Sequence, residues 1–189
     1  APPMNTLPSS AYCCGPGGCA AAVVMSPFSL TWKLPYRTDV PVQRRPVVLW
    51  LFAAACVAVY LLQPGDPIGA FKFVRLFALT PSIVLGGANY HTFLTHMFLH
   101  GGILHLLGNL YFLYVFGDNV EDAMGHARFL VFYLLCGIFA GLFHSWMQPD
   151  SALPLIGASG AVAGVIAAYL MLHPHVGVWV LAFKFIPLR

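Results

Sequence analysis

The sequence predicts an all-α membrane protein, a polytopic bundle of several membrane-spanning helices. Of its 189 residues, 59% are hydrophobic and only 8% are charged, whereas about 25% are charged in a soluble domain. The apolar residues form separate runs of roughly membrane-spanning length, divided by polar or Gly/Pro-rich stretches. The mean hydropathy of +0.79 supports the same class.

Charge and cysteine content exclude two other kinds of protein. The formal net charge of +3 comes from a few scattered basic residues, so no nucleic-acid partner is expected. Cys56 and Cys136 lie in apolar runs and are predicted to be small packing residues. Cys13, Cys14 and Cys19 lie in a Gly/Pro/Ala-rich stretch at a spacing that fits no common zinc pattern. We therefore expect no disulfide framework, no metal and no cofactor.

Residues 1–45 are predicted to be a disordered cytoplasmic tail, and residues 46–189 a membrane domain. The tail lacks apolar periodicity and is rich in proline, glycine and small residues. A 16-residue apolar run, Val47–Leu62, begins the membrane domain. A signal peptide is the rival interpretation of this run, but the further apolar segments favour a retained span. By the positive-inside rule, the N-terminus is placed in the cytoplasm by the basic residues before the run: Lys33, Arg37, Arg44 and Arg45.

A long connection over residues 63–101 follows the first span. It is rich in proline, glycine and aromatic residues, which is not typical of a plain solvent loop. We expect it to lie in the membrane interface with short helices around 71–79 and 92–98.

The rest of the chain predicts four more spans joined by short turns. In order, the segments are a second span at 102–116, a polar turn at 117–122, a third span at 129–147, a turn at 148–151, a fourth span from Gly157 to just before His173, and a fifth from Val176.

Two glycine pairs mark faces on which helices approach closely. Gly137 and Gly141 lie on the third span, and Gly160 and Gly164 on the fourth. Small residues at this spacing allow close packing of helices in lipid. We expect the Gly160/Gly164 face to pack against a further span downstream.

Three polar residues within these spans suggest chemistry. Pro154 and Gly157 interrupt the chain, so Ser159 is expected in the first turn of a new helix, where free N–H groups and the helix dipole favour negative charge. His105 and Asn109 are four residues apart and share one helix face. Counting spans places all three in the same half of the membrane, as an acyl-transfer site requires.

Less specific interpretations of these residues stay open. Ser159 is also explained as a small packing residue, and His105 as a histidine hydrogen-bonded between helices. The histidines of the preceding loop are also candidate metal ligands by their spacing: His91, His96 and His100.

Three motifs in order resemble the rhomboid family of intramembrane serine proteases, especially its bacterial members. The first is His96-x3-His100-Gly-Gly-x2-His105-x3-Asn109. The second is Phe-Gly-Asp-Asn-Val-Glu-Asp at 116–122, and the third is Gly-Ala-Ser-Gly at 157–160. Each motif alone is weak, but the ordered set at these spacings is specific and extends over about 44–189.

The resemblance implies a rhomboid-type bundle in which Ser159 is the catalytic nucleophile. It also implies that the side chains of His105 and Asn109, with the Ser159 backbone N–H, stabilise the oxyanion. Fixed donors in a dry site are worth about 3 kcal/mol each. Gly157 is expected to let the substrate backbone approach closely.

The chain departs from the family pattern in two places. The Trp-Arg pair common in the family's loop is replaced by His91-Thr92. The family's general base is a histidine on a sixth span, which the resemblance places beyond Arg189. A serine hydroxyl needs such a base, so residues 1–189 alone are expected to be inactive.

The predicted function is that of an intramembrane serine endopeptidase, acting on transmembrane protein substrates in the lipid bilayer. The expected location is the bacterial inner membrane. The alternatives are a non-catalytic rhomboid-like membrane-protein binder and a histidine-rich membrane metal or haem protein.

Overall fold

The structure is a computed structural model that describes residues 43–174. Most of the predicted tail, its three cysteines and the predicted fifth span lie outside this range. The described residues form seven α-helices and one 3₁₀ turn: α1 Val47–Leu62, α2 Pro67–Phe77, α3 Pro81–Leu85, α4 Thr92–Thr95, the 3₁₀ turn His96–Phe98, α5 Ile103–Met124, α6 His126–Met147 and α7 Ser159–Leu172. The predicted all-α class is confirmed.

Helix α1 has the bounds of the predicted first span, Val47–Leu62. Its N-cap residue is Pro46, which supplies no side-chain cap. The carboxylate of Glu121 accepts hydrogen bonds from the backbone N–H groups of Val48 at 2.9 Å and Leu49 at 2.8 Å. A residue far along the chain therefore satisfies N–H groups that a helix start leaves free.

The predicted polar turn at 117–122 is wrong, because α5 continues as helix to Met124. Near the end of this helix Glu121 is buried, at 1% exposed, and its carboxylate binds the start of α1. The actual turn is Gly125, whose φ of +78° suits glycine. Its neighbour His126 donates from Nδ1 to Glu121 Oε1 at 2.6 Å.

Helices α6 and α7 pack through the glycines of α7, although not against the partner expected from the sequence. A β-carbon added at Gly160 would collide with Ala140, and one added at Gly164 with Cys136. Both contacts are on α6, so the expectation that this face packs on a downstream span is wrong. The glycines of α6 pack against the connection between α1 and α5 instead, because Gly137 lies against Met97 and Gly141 against Leu79.

The connection between α1 and α5 contains short helices, as predicted, with shifted bounds. Asp66 caps α2 by accepting from Gly69 N at 2.7 Å, and Pro67 is the first helical residue. The second predicted helix is split into α4 and the 3₁₀ turn His96–Phe98. Thr95 Oγ1 donates to Phe77 O at 2.7 Å and joins the two parts of the connection.

The described helices are apolar, and their outward faces carry large exposed hydrophobic side chains. By length and composition, α6 is the one helix in residues 43–174 that is able to span a membrane alone. A second span results if α5 is joined to the preceding 92–98 helix across a 96° bend, while α1 and α7 are shorter apolar helices. Helix α5 contains polar residues such as His105, Asn109 and Asp118, which lower its hydropathy.

Candidate active site

The candidate site is built around Gly157, just before α7. Its φ of +114° is a conformation that side-chain-bearing residues rarely adopt. Gly157 N donates to His96 O at 2.9 Å, which ties the segment to the 3₁₀ turn. Gly157 is therefore fixed in position by the loop as well as by its own helix.

The segment before Gly157 pairs with the connection between α1 and α5. Leu79 and Leu155 form an antiparallel bridge, with Leu79 N to Leu155 O at 3.1 Å and Leu155 N to Leu79 O at 2.7 Å. Ser82 N donates to Ser151 O at 3.1 Å. These bonds anchor the approach to α7 against a part of the chain that precedes α5.

Ser159 is the first residue of α7, as the sequence predicts. At this position the backbone N–H has no acceptor within the helix and lies at the positive end of the helix dipole. The side chain is exposed, and its hydroxyl makes no hydrogen bond to any residue of the described range 43–174.

His105 and Asn109 lie on one face of α5, and both point towards Gly157. A β-carbon added at Gly157 would lie 2.8 Å from Cε1 and Nε2 of His105 and 4.0 Å from Nδ2 of Asn109. Asn109 is 7% exposed, and its Nδ2 donates to His105 O at 2.8 Å. The structure thus brings all four predicted site residues to the same end of the helices, because His105 and Asn109 lie beside Gly157, two residues before Ser159.

The other histidines of the loop hydrogen-bond to backbone carbonyls. His91 Nε2 donates to Leu76 O at 2.7 Å, His96 Nδ1 to Thr92 O at 2.8 Å, and His100 Nδ1 to Phe98 O at 3.2 Å. In residues 43–174 there is no group of three or more metal-ligating side chains.

This arrangement suits the stabilisation of negative charge at the start of α7. A hydroxyl, a free helical N–H, an imidazole and a side-chain amide surround a glycine where an added side chain would block access. Such donors stabilise the oxyanion of a tetrahedral intermediate when they are fixed before the reaction.

Sequence reasoning missed the contacts that hold this site in place. The bridge between Leu79 and Leu155 is a single backbone pair without a residue pattern of its own. It also missed Gln63, which follows the last residue of α1 and whose side-chain amide hydrogen-bonds to the backbone of His100. A polar residue directly after an apolar span was the only available signal.

Comparison with known proteins points to one family. A family model described as Rhomboid domain matches residues 87–188, more than half of the chain. Rhomboid-like protein 11, chloroplastic, of Arabidopsis thaliana is 31% identical over 127 residues, which is 67% of this chain and 42% of that protein. Rhomboid protease GluP of Bacillus subtilis is 32% identical over 128 residues, 67% of this chain and 24% of that protein.

A further relative is more distant in sequence. Rhomboid protease GlpG of Salmonella paratyphi A is 23% identical over 145 residues, 69% of this chain and 45% of that protein. The chain therefore spans less than half the length of each of these curated relatives.

Proposed function

The chain belongs to the rhomboid family, and from this we propose that its natural form is an intramembrane serine endopeptidase that cleaves membrane-anchored proteins. Two of its relatives are named rhomboid proteases, and an integral membrane location follows from the family.

One observation carries the proposal more than any other. The imidazole of His105 lies 2.8 Å from the position of a β-carbon at Gly157, with the Asn109 amide 4.0 Å from the same point. These donors come from α5, whereas Ser159 starts α7. Separate elements converge on one small volume, which a role in packing alone does not require.

Each residue receives a chemical role in this proposal. Ser159 Oγ attacks the carbonyl carbon of the scissile peptide, and the hydroxyl proton passes to a base. The carbonyl oxygen becomes an oxyanion that accepts hydrogen bonds from Ser159 N–H, His105 and Asn109. Gly157 leaves room for the substrate backbone. Return of the proton to the leaving nitrogen gives an acyl-enzyme, which water hydrolyses.

We propose that the base comes from outside residues 1–189. The only histidines that follow Ser159 in the sequence are His173 and His175, and α7 has 14 residues. At about 1.5 Å per residue, His173 lies about 21 Å from Ser159 along the helix. His105 is better placed to donate to the oxyanion than to accept the proton.

The second candidate function is a rhomboid-like membrane protein that binds transmembrane segments without cleaving them. It is favoured by the Ser159 hydroxyl, which has no hydrogen-bond partner in residues 43–174. Both candidates need the same membrane fold and differ in whether Ser159 is activated.

Cleavage of a model transmembrane substrate by the natural full-length protein separates the two candidates. We expect Ser159→Ala to reduce cleavage to background and to abolish labelling by a fluorophosphonate probe, while the thermal unfolding temperature stays unchanged. Ser82→Ala is the matched control, since that serine is exposed and lies in α3, and its side chain has no role in the candidate site. Residues 1–189 alone should neither cleave nor label. Cleavage that survives Ser159→Ala would exclude Ser159 as the nucleophile.

We also propose a cytoplasmic N-terminus, with the candidate site at the opposite membrane face and the bacterial inner membrane as the location. The basic residues before α1 support this orientation. Cysteines introduced at Ser82 and Asp122 should react with an impermeant reagent from opposite sides. Reaction of both from one side would contradict the orientation.

A further inference from the structure

We infer that Gln63 is a positioning residue for the candidate site: it holds the backbone of His100, whose buried ring packs against His105. The inference rests on the role proposed above for His105. It extends the site to the end of α1, an element that contributes none of the proposed catalytic groups.

Gln63 follows the last residue of α1 and is hydrogen-bonded to its own helix, since Gln63 N donates to Tyr60 O at 3.3 Å. The Gln63 side-chain amide lies against the His100 backbone. In the orientation that satisfies both amide atoms, Nε2 donates to His100 O at 3.0 Å and Oε1 accepts from His100 N at 3.3 Å. Two bonds to one residue fix the rotation of its backbone as well as its position.

The His100 ring depends on this backbone for its placement. It is 2% exposed, and its one hydrogen bond within residues 43–174 is the 3.2 Å bond from Nδ1 to Phe98 O. Nε2 is buried without a partner among those residues. Because one end of the ring has no hydrogen bond, little besides packing and the held backbone orients it.

His105 in turn contacts this ring. The His100 and His105 ring centroids are 5.2 Å apart at an interplanar angle of 65°. The His105 side chain makes no hydrogen bond within the described range, so contacts with His100 and with Gly157 orient its imidazole. In the sequence, His100 is followed by Gly101 and Gly102 before α5 begins at Ile103, and this glycine pair transmits little constraint through the chain itself.

The energetic argument is one of preorganisation. An oxyanion donor is effective when it is held in place before the reaction, and a small misplacement reduces the rate strongly. Without the Gln63 amide, the His100 backbone is free to shift and the His105 imidazole loses its main lateral support. The expected loss therefore falls on kcat, with little change in KM.

A double-mutant cycle in the natural full-length protein tests the inference. Gln63→Met keeps the length of the side chain and removes both hydrogen bonds. We expect it to lower kcat about tenfold, with KM changed less than about twofold. In a His105→Ala background the same substitution should lower kcat no more than about twofold, because its effect acts through His105. Gln148→Met is the matched control, on an exposed glutamine at the end of α6, and should leave kcat unchanged.

The outcomes separate this inference from the proposed function. Equal losses in both backgrounds would mean that Gln63 only supports the fold and would overturn the inference, as would an unchanged kcat in Gln63→Met. Full activity in His105→Ala would overturn the donor role of His105 itself, and the inference with it. If Gln63→Met does not accumulate, Gln63→Glu replaces it, since the carboxylate keeps the acceptor for His100 N and removes the donor to His100 O.

Discussion

The two ends of the helical bundle treat their polar groups in opposite ways. At the capped end, defined by Glu121, Asp122 and His126, the carboxylates accept hydrogen bonds from backbone N–H groups at the start of α1 and just before it. At the site end, defined by His105, Gly157 and Ser159, a hydroxyl and an imidazole make no hydrogen bond within residues 43–174. Both ends belong to the same helices, because α5 contributes to each.

This difference indicates where the chain gains stability and where it keeps groups available. A buried carboxylate with three donors cannot leave its partners without a large loss of stability. An exposed hydroxyl beside a free helical N–H adds little to stability, yet it is available to a substrate. Substitutions at the site end should thus affect turnover, and substitutions at the capped end should affect folding.

Apart from loss of the nucleophile itself, the largest expected effect is that of Gly157→Ala at the site end. A methyl group there would lie 2.8 Å from the His105 ring in a backbone with φ of +114°, so it displaces the donor and strains the chain. We expect kcat of the natural protein to fall by about 10² to 10³-fold. Gly108→Ala is the matched control, since a β-carbon there meets nothing within 4 Å. Similar activity in both variants would show that Gly157 is not a site residue.

At the capped end, Glu121→Ala should reduce stability rather than chemistry. It leaves the N–H groups of Val48 and Leu49 without an acceptor in a buried place, at a cost of about 3 kcal/mol. Asp122→Ala removes an acceptor from the more exposed N–H groups of Gln43 and Arg44 and should cost about 1 kcal/mol. Unfolding in detergent measures both.

Activity per folded molecule completes this comparison of the two ends. It should be unchanged in Glu121→Ala when fluorophosphonate labelling of Ser159 is normalised to the folded fraction. Low labelling per folded molecule in Glu121→Ala would contradict the division between the two ends.

Local sequence patterns were sufficient for much of the fold. The apolar run predicted both end residues of α1. The interruption by Pro154 and Gly157 predicted where α7 starts. The end of α5 could not be predicted, because a polar stretch after a span resembles a loop until its partners are known. Those partners, the N–H groups of Val48 and Leu49, lie more than 70 residues earlier.

For the candidate site, too, local spacing predicted some features, whereas contacts between distant residues could not be predicted. The spacing of His105 and Asn109 predicted a shared helix face, because four residues is close to one helical turn. The hydrogen bond from Gly157 to His96 and the amide of Gln63 on His100 depend on tertiary packing alone. The glycine face of α7 was assigned to the wrong neighbour for the same reason: a small-residue pattern marks a close contact without identifying the partner.

The central claim is that donors from α5 stabilise the oxyanion that forms when the Ser159 hydroxyl, at the start of α7, attacks the substrate. Asn109→Ala tests this claim most directly. In the natural full-length protein this substitution should leave unfolding nearly unchanged and lower kcat by about 10²-fold or less, since His105 and the Ser159 N–H partly compensate. The measurement is kcat on several transmembrane substrates, with Gly108→Ala on the same helix as control. A selective loss in Asn109→Ala is the predicted result, and full kcat on every substrate would contradict the account.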